Sequence, residues 1–374
     1  MGLCRSHTGW LLFGLVLFLQ PASALSGQGY SVRLAVANSV KSVQVEGQRL
    51  TILDGDVRDV LVKESKKAIK LTADPAGIVL SGYSHRPRSV ILWAKSGLKV
   101  NGRLLVGEVE VFMKKSGLLV INRLDLERYL TGLLGAEMSA SWPIEALKAQ
   151  AVASRTFAIR RCLDRENHDF DLSTSTLDQV YKGIAREAHS TKKAVSATRG
   201  EVLTYGGMPA EALFHSCCGG RTRSAQEVFG NQVAYLSGAK DPYCSGCKSS
   251  DWKVRVTLSE LKKKLKRRKG WSGPIVRVVK TTSPKGFRAT RIIGKSAELV
   301  LSNHELRVVL GLDVLLSSEF VFEVEGTNLL FTGRGRGHGV GMCQWGARGM
   351  AEKGKDYKAI LNKYYTRADL RKLY

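Results

Sequence analysis

Residues 133–158 read LLGAEMSASWPIEALKAQAVASRTFA, and how this stretch folds decides how the rest of the chain is read. Just upstream and into it, Leu126, Tyr129, Leu130, Leu133 and Leu134 recur at helical spacing, with Asp125 placed as the cap and Gly135 as the stop. Downstream, Pro143 suits the first turn of a second helix, where its missing N–H has no intrahelical partner to lose. That helix continues through Leu147, Ala151 and Ala158, and its many alanines let another backbone pack close. This reading leaves Glu137 in a short linker between the two helices. Such a carboxylate, facing Gln150, Ser154 and Arg155 on the next helix, could serve as an acid in a groove. From the composition of the linker alone, a solvated loop glutamate is the simpler reading.

With 374 residues the chain can bury a substantial core. Its 58 Lys and Arg against 33 Asp and Glu give a net charge of +25, a field that draws polyanions. Residues 1–24 narrow the choice of polyanion. Arg5 supplies a positive start, Trp10 to Leu19 an apolar run of about ten residues, and Ala22-Ser23-Ala24 a small-residue cleavage pattern. The run is short of the roughly 20 residues a membrane-spanning helix needs. The expectation is a signal peptide, a mature start near Leu25, and export to the periplasm, the cell envelope or the medium. Cys4 precedes the apolar run, so it is not a lipid-attachment cysteine. With no aromatic RNA-binding signature or zinc-finger spacing present, nucleic acid is not an expected partner. Anionic wall polymer or a membrane surface is.

The fold class read from the pattern is α+β. Residues 25–118 form a β-rich N-terminal domain: Val32, Leu34 and Val36, Val43 and Val45, then Val100, Leu104, Val109 and Val111 alternate with polar or small residues. Residues 119–374 form a mixed α/β core, opening on the strand Leu119 to Asn122. Ala185 to Thr198 reads as an amphipathic helix stopped at Gly200. Glu201 to Tyr205 and Ala210 to His215 read as a hairpin about Gly206-Gly207. About 250–330 reads as a subdomain set into the core. In it Leu258, Leu261 and Leu265 mark a helix whose other face is Lys262, Lys263, Lys264, Lys266, Arg267, Arg268 and Lys269, and Asn303 caps a later helix. The charge run is a solvated face first, and a contact with anionic polymer or lipid second.

Six cysteines follow the leader: Cys162, Cys217, Cys218, Cys244, Cys247 and Cys343. An even count in an exported chain favours disulfides, here Cys218 with Cys244 or Cys247, and no cofactor. The alternative is a tetrahedral zinc held by His215, Cys217 or Cys218, and Cys244 with Cys247. A thiol nucleophile at His215-Ser216-Cys217 lacks an evident orienting group. Gly333 to Gly341 (GRGRGHGVG) has glycine at every second position and no Walker spacing, so it is not a phosphate loop. Alternating glycines admit close backbone packing or a bulky ligand. His338, Gln344 and Trp345 beside them would suit a sugar.

Glu137-Met138, Trp142-Pro143, Glu145 to Ala153 (EALKAQAVA) and Ser154-Arg155-Thr156 resemble the signature of the SpoIID/LytB family, the stage II sporulation protein D or amidase enhancer family. Asp178-Gln179-Val180-Tyr181, Phe214 to Gly220 (FHSCCGG), and Gly333 through Ala347 match in the same order. The resemblance spans about Leu119 to Tyr374. It implies action on peptidoglycan, with Gln150, Ser154, Arg155, Gln179, Tyr181, His215, His338, Gln344 and Trp345 binding substrate. Some members of the family hold zinc through a His-Cys pair directly before Gln-Val-Tyr. Leu177 and Asp178 stand there in this chain, so that site is expected to be missing.

Hydrolysis of a glycosidic bond normally takes two carboxylates. Glu137 is the one strong candidate, since Glu145 sits in a first helical turn where the dipole accounts for it. One carboxyl group suffices if the substrate supplies its own nucleophile. The resemblance implies such a reaction, a lytic transglycosylase cut of the MurNAc-GlcNAc β-1,4 bond that leaves a 1,6-anhydro end, on strands stripped of peptide. Glu137 would be both acid and base, kept protonated by a partly apolar setting from Met138 and Trp142. Arg155 would meet the lactyl carboxylate. The alternative implied by the family is a non-catalytic, glycan-binding enhancer of a partner N-acetylmuramoyl-L-alanine amidase.

Overall fold

A computed structural model describes residues 29–174, 178–179, 181–247, 251–283 and 286–374. The expected leader, residues 1–24, lies outside them, as do Leu177 and Val180. The fold is α+β. Near the N-terminus a seven-stranded sheet runs in the order Leu172–Ser173, Ser31–Val40, Gly117–Asp125, Glu108–Lys114, Ser89–Trp93, Leu50–Asp54, Val60–Ser65. A five-stranded sheet adds Gly77–Leu80, Ile69–Asp74, Ser42–Gly47, Leu98–Val100 and Arg103–Leu105. Period two decides which side chains meet. Val32, Leu34, Val43, Val45, Val109 and Val111 join Leu118 and Val120 in the main core. Leu119 and Ile121, one residue out of phase, pack with Ala35 on the other face.

Gly117–Asp125 pairs with both Glu108–Lys114 and Ser31–Val40, Ala35 lying opposite Ile121. It then delivers the chain into helix α1 (Leu126–Glu137), whose first turn is capped by the Asp125 carboxylate accepting from the Arg128 N–H at 3.0 Å. The helix does not stop at Gly135. The Met138 N–H still bonds the Leu134 carbonyl, so the helix ends on Glu137 itself rather than leaving that residue in a linker. Gly135 is small for a packing reason: a Cβ there would collide with the Arg186 carbonyl.

Helix α2 (Ile144–Asp164) follows Pro143 and runs through the middle of the molecule. Ala146, Ala149, Ala151, Ala153 and Ala158 are wholly buried, which lets α1 and helix α3 (His189–Ala197) lie close against it. The expected hairpin is shorter than its pattern. Across the Gly206-Gly207 turn Glu201–Tyr205 pairs with Met208–Pro209, and Ala210 adds a last hydrogen bond to Leu203, while the other edge of Glu201–Tyr205 takes Asp369–Lys372. Two i→i+2 bonds, Ala212 N–H to Ala210 O and Leu213 N–H to Glu211 O, then bend the chain away. Phe214–His215 pairs instead, in parallel, with Met342–Cys343.

Beyond the short helix α4 (Ala225–Phe229) and a 3-10 turn at Cys244–Gly246, residues 252–331 gather a second hydrophobic cluster of their own. Two three-stranded sheets carry it, with helices α5 (Leu258–Lys269) and α6 (Asn303–Leu310). On α5, Leu261 and Leu265 are wholly buried and the basic side chains stand outward, Lys264 alone half-buried. Helix α6 is capped by Ser302, not Asn303: Ser302 and Glu305 form a reciprocal capping box. The amide of Asn303 is turned away to the Ser318 and Phe320 carbonyls. Helices α7 (Gln344–Glu352) and α8 (Tyr357–Tyr364) return the chain to α2.

Candidate active site

A groove of about 610 Å³ opens between these elements. Glu137 enters it from the end of α1, Arg161 from α2 and Asp178 from the loop beyond. His215 and Ser216 come from the parallel pair, His304 and Arg307 from α6, Arg336 and His338 from the glycine-rich segment, and Gln344 from the start of α7. Glu137 is half-buried. Its apolar company in the groove is Phe157, Leu213, Phe214 and Phe229. The residues expected to supply that company are elsewhere. Met138 is a core side chain, and Trp142 stands edge-on to Trp345 at 5.1 Å. Trp345 itself lies outside the groove lining, with the Arg348 guanidinium over both rings.

The family-implied binding residues fall into two groups. His215, His338 and Gln344 line the groove. Gln150, Ser154, Arg155, Gln179 and Tyr181 are buried beneath it, each at most 1 % exposed. A chain of hydrogen bonds connects the groups: Gln344 Nε2 donates to Gln150 Oε1 at 3.3 Å, Gln150 Nε2 to Ser154 Oγ at 2.9 Å, and Gln179 Nε2 to the Ser154 carbonyl at 3.4 Å. The Tyr129 hydroxyl donates to Gln179 Oε1 at 2.8 Å, which ties the network to α1 five residues below Leu134. Tyr181 packs its ring on Tyr129. Arg155 is a plain correction. Its guanidinium forks onto Glu127 at 2.7 and 2.8 Å and reaches the Glu201 and Val195 carbonyls, so it has no face to offer a ligand. Arg161, Arg307 and Arg336 are the groove's cations, and the pattern of the sequence did not single them out. The Ser302-x-x-Glu305 capping signature was the available pointer to α6, which brings Arg307 in.

The imidazoles are fixed by backbone. His215 Nδ1 lies 3.1 Å from the Val340 carbonyl, which can only accept, so the proton sits on Nδ1. Nε2 is left as a buried acceptor without a partner among the described residues. Burial pulls the group down to about 4. His338 takes the Val340 N–H on Nδ1 and therefore donates from Nε2 to the Phe214 carbonyl at 2.9 Å. Burial, followed by His215, His304 and Arg307, keeps it well below the ordinary histidine range. Burial likewise lowers His304 to about 4. All three are neutral at pH 7.

This has a consequence for stability. The unfolded chain would protonate these histidines near 6.5, before the folded one does. Their contribution is fully present above about pH 6.5 and is lost as pH falls toward about 4, on the order of 3 kcal/mol for His215 alone. Urea unfolding at pH 7 and pH 5 should show this fall, and His215→Gln should make it smaller while the His304 and His338 share stays. An equal fall in the variant would remove His215 as its source.

Three glycines of the glycine-rich segment are explained by close packing. Side chains added at Gly335 and Gly337 would meet the Cys217 carbonyl and His215 Cβ, and one at Gly341 the Leu213 carbonyl. The segment therefore lies directly along residues 213–218. Gly337 also has φ +111°, which a side chain rarely adopts. Gly337→Ala is expected to cost about 1–3 kcal/mol and to displace the His215 ring. A thermal melt checks the first effect and the His215 NMR resonance the second.

The cysteines differ from expectation. Cys217 is bonded to Cys247, and Cys218 remains a free thiol, as do Cys162, Cys244 and Cys343. Cys217 Sγ, bonded to Cys247, also lies 3.4 Å from Cys244 Sγ, whereas Cys218 Sγ meets the Asp241 carboxylate. With its sulfur in that bond, Cys217 is no nucleophile, and His215, turned to Val340, is no partner for these sulfurs.

A mixed α+β scaffold with an acid at the end of one helix, over a cationic groove, thus carries all four sequence blocks. The profile of the SpoIID family, Stage II sporulation protein, matches residues 114–205, and this chain belongs to that family. It is 32 % identical to the stage II sporulation protein D of Bacillus subtilis over 262 residues, 66 % of this chain and 74 % of that protein. An uncharacterised protein of Brachyspira hyodysenteriae is 33 % identical over 342 residues, 91 % of this chain and 89 % of its own length. The amidase enhancer of Bacillus subtilis is 30 % identical over 283 residues, 63 % of this chain and 39 % of that protein.

Proposed function

We propose that this chain is an exported lytic transglycosylase of peptidoglycan, with Glu137 as its acid and base. The observation that carries the proposal is the seat of Glu137: a half-buried carboxyl at the end of α1, on a groove lined also by Phe157, Leu213, Phe214 and three arginines. Glu137 protonates the glycosidic oxygen as the bond to C1 of N-acetylmuramic acid breaks. Its carboxylate then takes the proton of the C6 hydroxyl as that oxygen closes on C1, so the cut consumes no water and returns Glu137 to its starting state. Arg161, Arg307 and Arg336 supply the positive charge that a strand bearing a lactyl carboxylate on each muramic residue requires. His215 Nε2 offers an acceptor to a substrate N–H or hydroxyl. Both nitrogens of His338 are already engaged by backbone, so it shapes the wall and transfers no proton.

Other carboxylates also line the groove, those of Asp178, Glu211 and Asp313. Asp178 accepts from the Ser173 N–H and hydroxyl at 2.9 and 2.7 Å and faces Arg165, and Glu211 is 3.8 Å from Arg161. The amidase-enhancer relative gives the second reading, a groove that binds glycan and stimulates an amidase. Incubating the full chain with purified, peptide-free strands separates the two. The transglycosylase shortens them unaided, whereas the enhancer sediments with them and leaves their length unchanged.

A further inference from the structure

Behind the groove, three thiols and a carboxylate converge. Cys218 follows the disulfide cysteine, Cys244 opens the 3-10 turn, Cys343 ends the parallel pair, and Asp241 lies between. One ligand atom from each comes within 4.8 Å of every other, and all four residues are buried. Cys343 Sγ is 3.5 Å from Cys244 Sγ, and Cys218 Sγ is 3.2 Å from Asp241 Oδ2. Zinc bonded to sulfur at 2.3 Å in a tetrahedron sets its sulfurs about 3.8 Å apart, so this spacing is nearly that of a formed site.

The surroundings suit thiolates as well. The N–H groups of Cys218 and Gly346 point at Cys343 Sγ, at 3.2 and 3.3 Å. The Tyr364 hydroxyl donates to Asp241 Oδ2 at 2.8 Å and the Tyr243 N–H to Oδ1 at 3.2 Å, which fixes the carboxylate. Outer contacts of this kind orient ligands and stabilise their charge. Residue 346 is glycine where a Cβ would strike both Asp241 and Tyr364. Parity argues against a second disulfide as the reason for the cluster. Three sulfurs meet there besides the Cys217–Cys247 pair, so joining any two would strand the third, buried.

We propose that Cys218, Asp241, Cys244 and Cys343 bind a soft divalent cation, zinc foremost, as a closed structural site. Four protein ligands leave no open position for substrate, and binding releases the thiol protons. The site would tie the 3-10 turn to the parallel pair and to the first turn of α7, and so hold His215 and Gln344 in the groove wall. It shares Cys244, and the Cys218 option, with the zinc arrangement the sequence offered, but puts Asp241 and Cys343 in place of His215 and Cys247. The inference is independent of the chemistry proposed for Glu137.

The test uses the full chain, purified without reductant or chelator so that the Cys217–Cys247 bond is kept. Elemental analysis after gel filtration should find about one zinc per chain. Cobalt in its place should give the intense thiolate-to-metal absorption of a tetrahedral site. Cys343→Ser should weaken zinc binding by about 10- to 100-fold or more, since loss of an outer contact alone costs that much. Should that variant fail to fold, Asp241→Asn keeps the shape, and it should weaken binding and alter the cobalt spectrum. A folded chain that takes up no metal from added zinc would overturn the proposal. So would a denatured thiol count showing two of the three cysteines oxidised to each other.

Discussion

Glu137→Gln is expected to abolish strand cleavage while leaving strand binding intact. An acid–base group of this kind contributes about 10²–10⁴-fold to rate, and here one residue holds both roles, so turnover should drop by at least the upper part of that range. The amide keeps the size of the carboxyl and its place on the groove. It also sits at the C-terminal end of α1, where a helix gains nothing from a negative charge, so stability should not suffer. Single-turnover cleavage of peptide-free strands, beside co-sedimentation with the same strands, reads the two effects separately. Loss of binding together with cleavage would instead make Glu137 a ligand contact.

Arg155→Ala is expected to have the largest effect on stability of any single change discussed here. Arg155 is wholly buried and forks onto Glu127, which also accepts from the Tyr374 hydroxyl at 2.6 Å. Removing the cation strands a carboxylate in the core, a loss of about 3–5 kcal/mol. Lysine cannot reproduce the two-pronged contact and should restore little. The pair also sets an acid limit. Burial raises the Glu127 carboxyl, but Arg155 and then Tyr374 outweigh it, and the group ends below the ordinary range. Its contribution is present above the ordinary carboxylate value and is lost as pH falls through the lowered one. Urea midpoints of wild type and Arg155→Ala at pH 7 and at pH 4 should therefore converge on acidification. A variant that kept its midpoint but lost glycan affinity would return Arg155 to the groove.

The contrast between Arg155 and Arg161 shows where sequence reading loses its hold. Both lie on α2, six positions apart, and the pattern alone does not say which face meets solvent. Arg155 lay inside the family-like block and drew the binding role, yet its surroundings are Glu127, Val195 and Glu201. The features that were legible are local ones. Asp125 caps α1 because its side chain needs only the next turn, and the valine alternation needs only a sheet with one buried face. Gly135 misled because a glycine that ends a helix and one that admits a neighbouring backbone look alike until Arg186 is placed. His304, Arg307 and Arg336 join Glu137 across some 170 to 200 residues, and no spacing rule spans that distance. The glycine-rich segment admitted close packing or a ligand from its pattern, and its packing partner, the 213–218 segment, could be seen only in three dimensions. The cysteines fall between these cases, since their number was plain and their pairing was not.

The most direct test of the central claim is mass spectrometry of the soluble products released from purified, peptide-free glycan strands by the full chain. The account predicts fragments ending in 1,6-anhydro-N-acetylmuramic acid, absent when Glu137→Gln replaces the wild type. Fragments with ordinary reducing ends would contradict it, because water would then have been the nucleophile and a second carboxylate, Asp178, Glu211 or Asp313, would have to activate it.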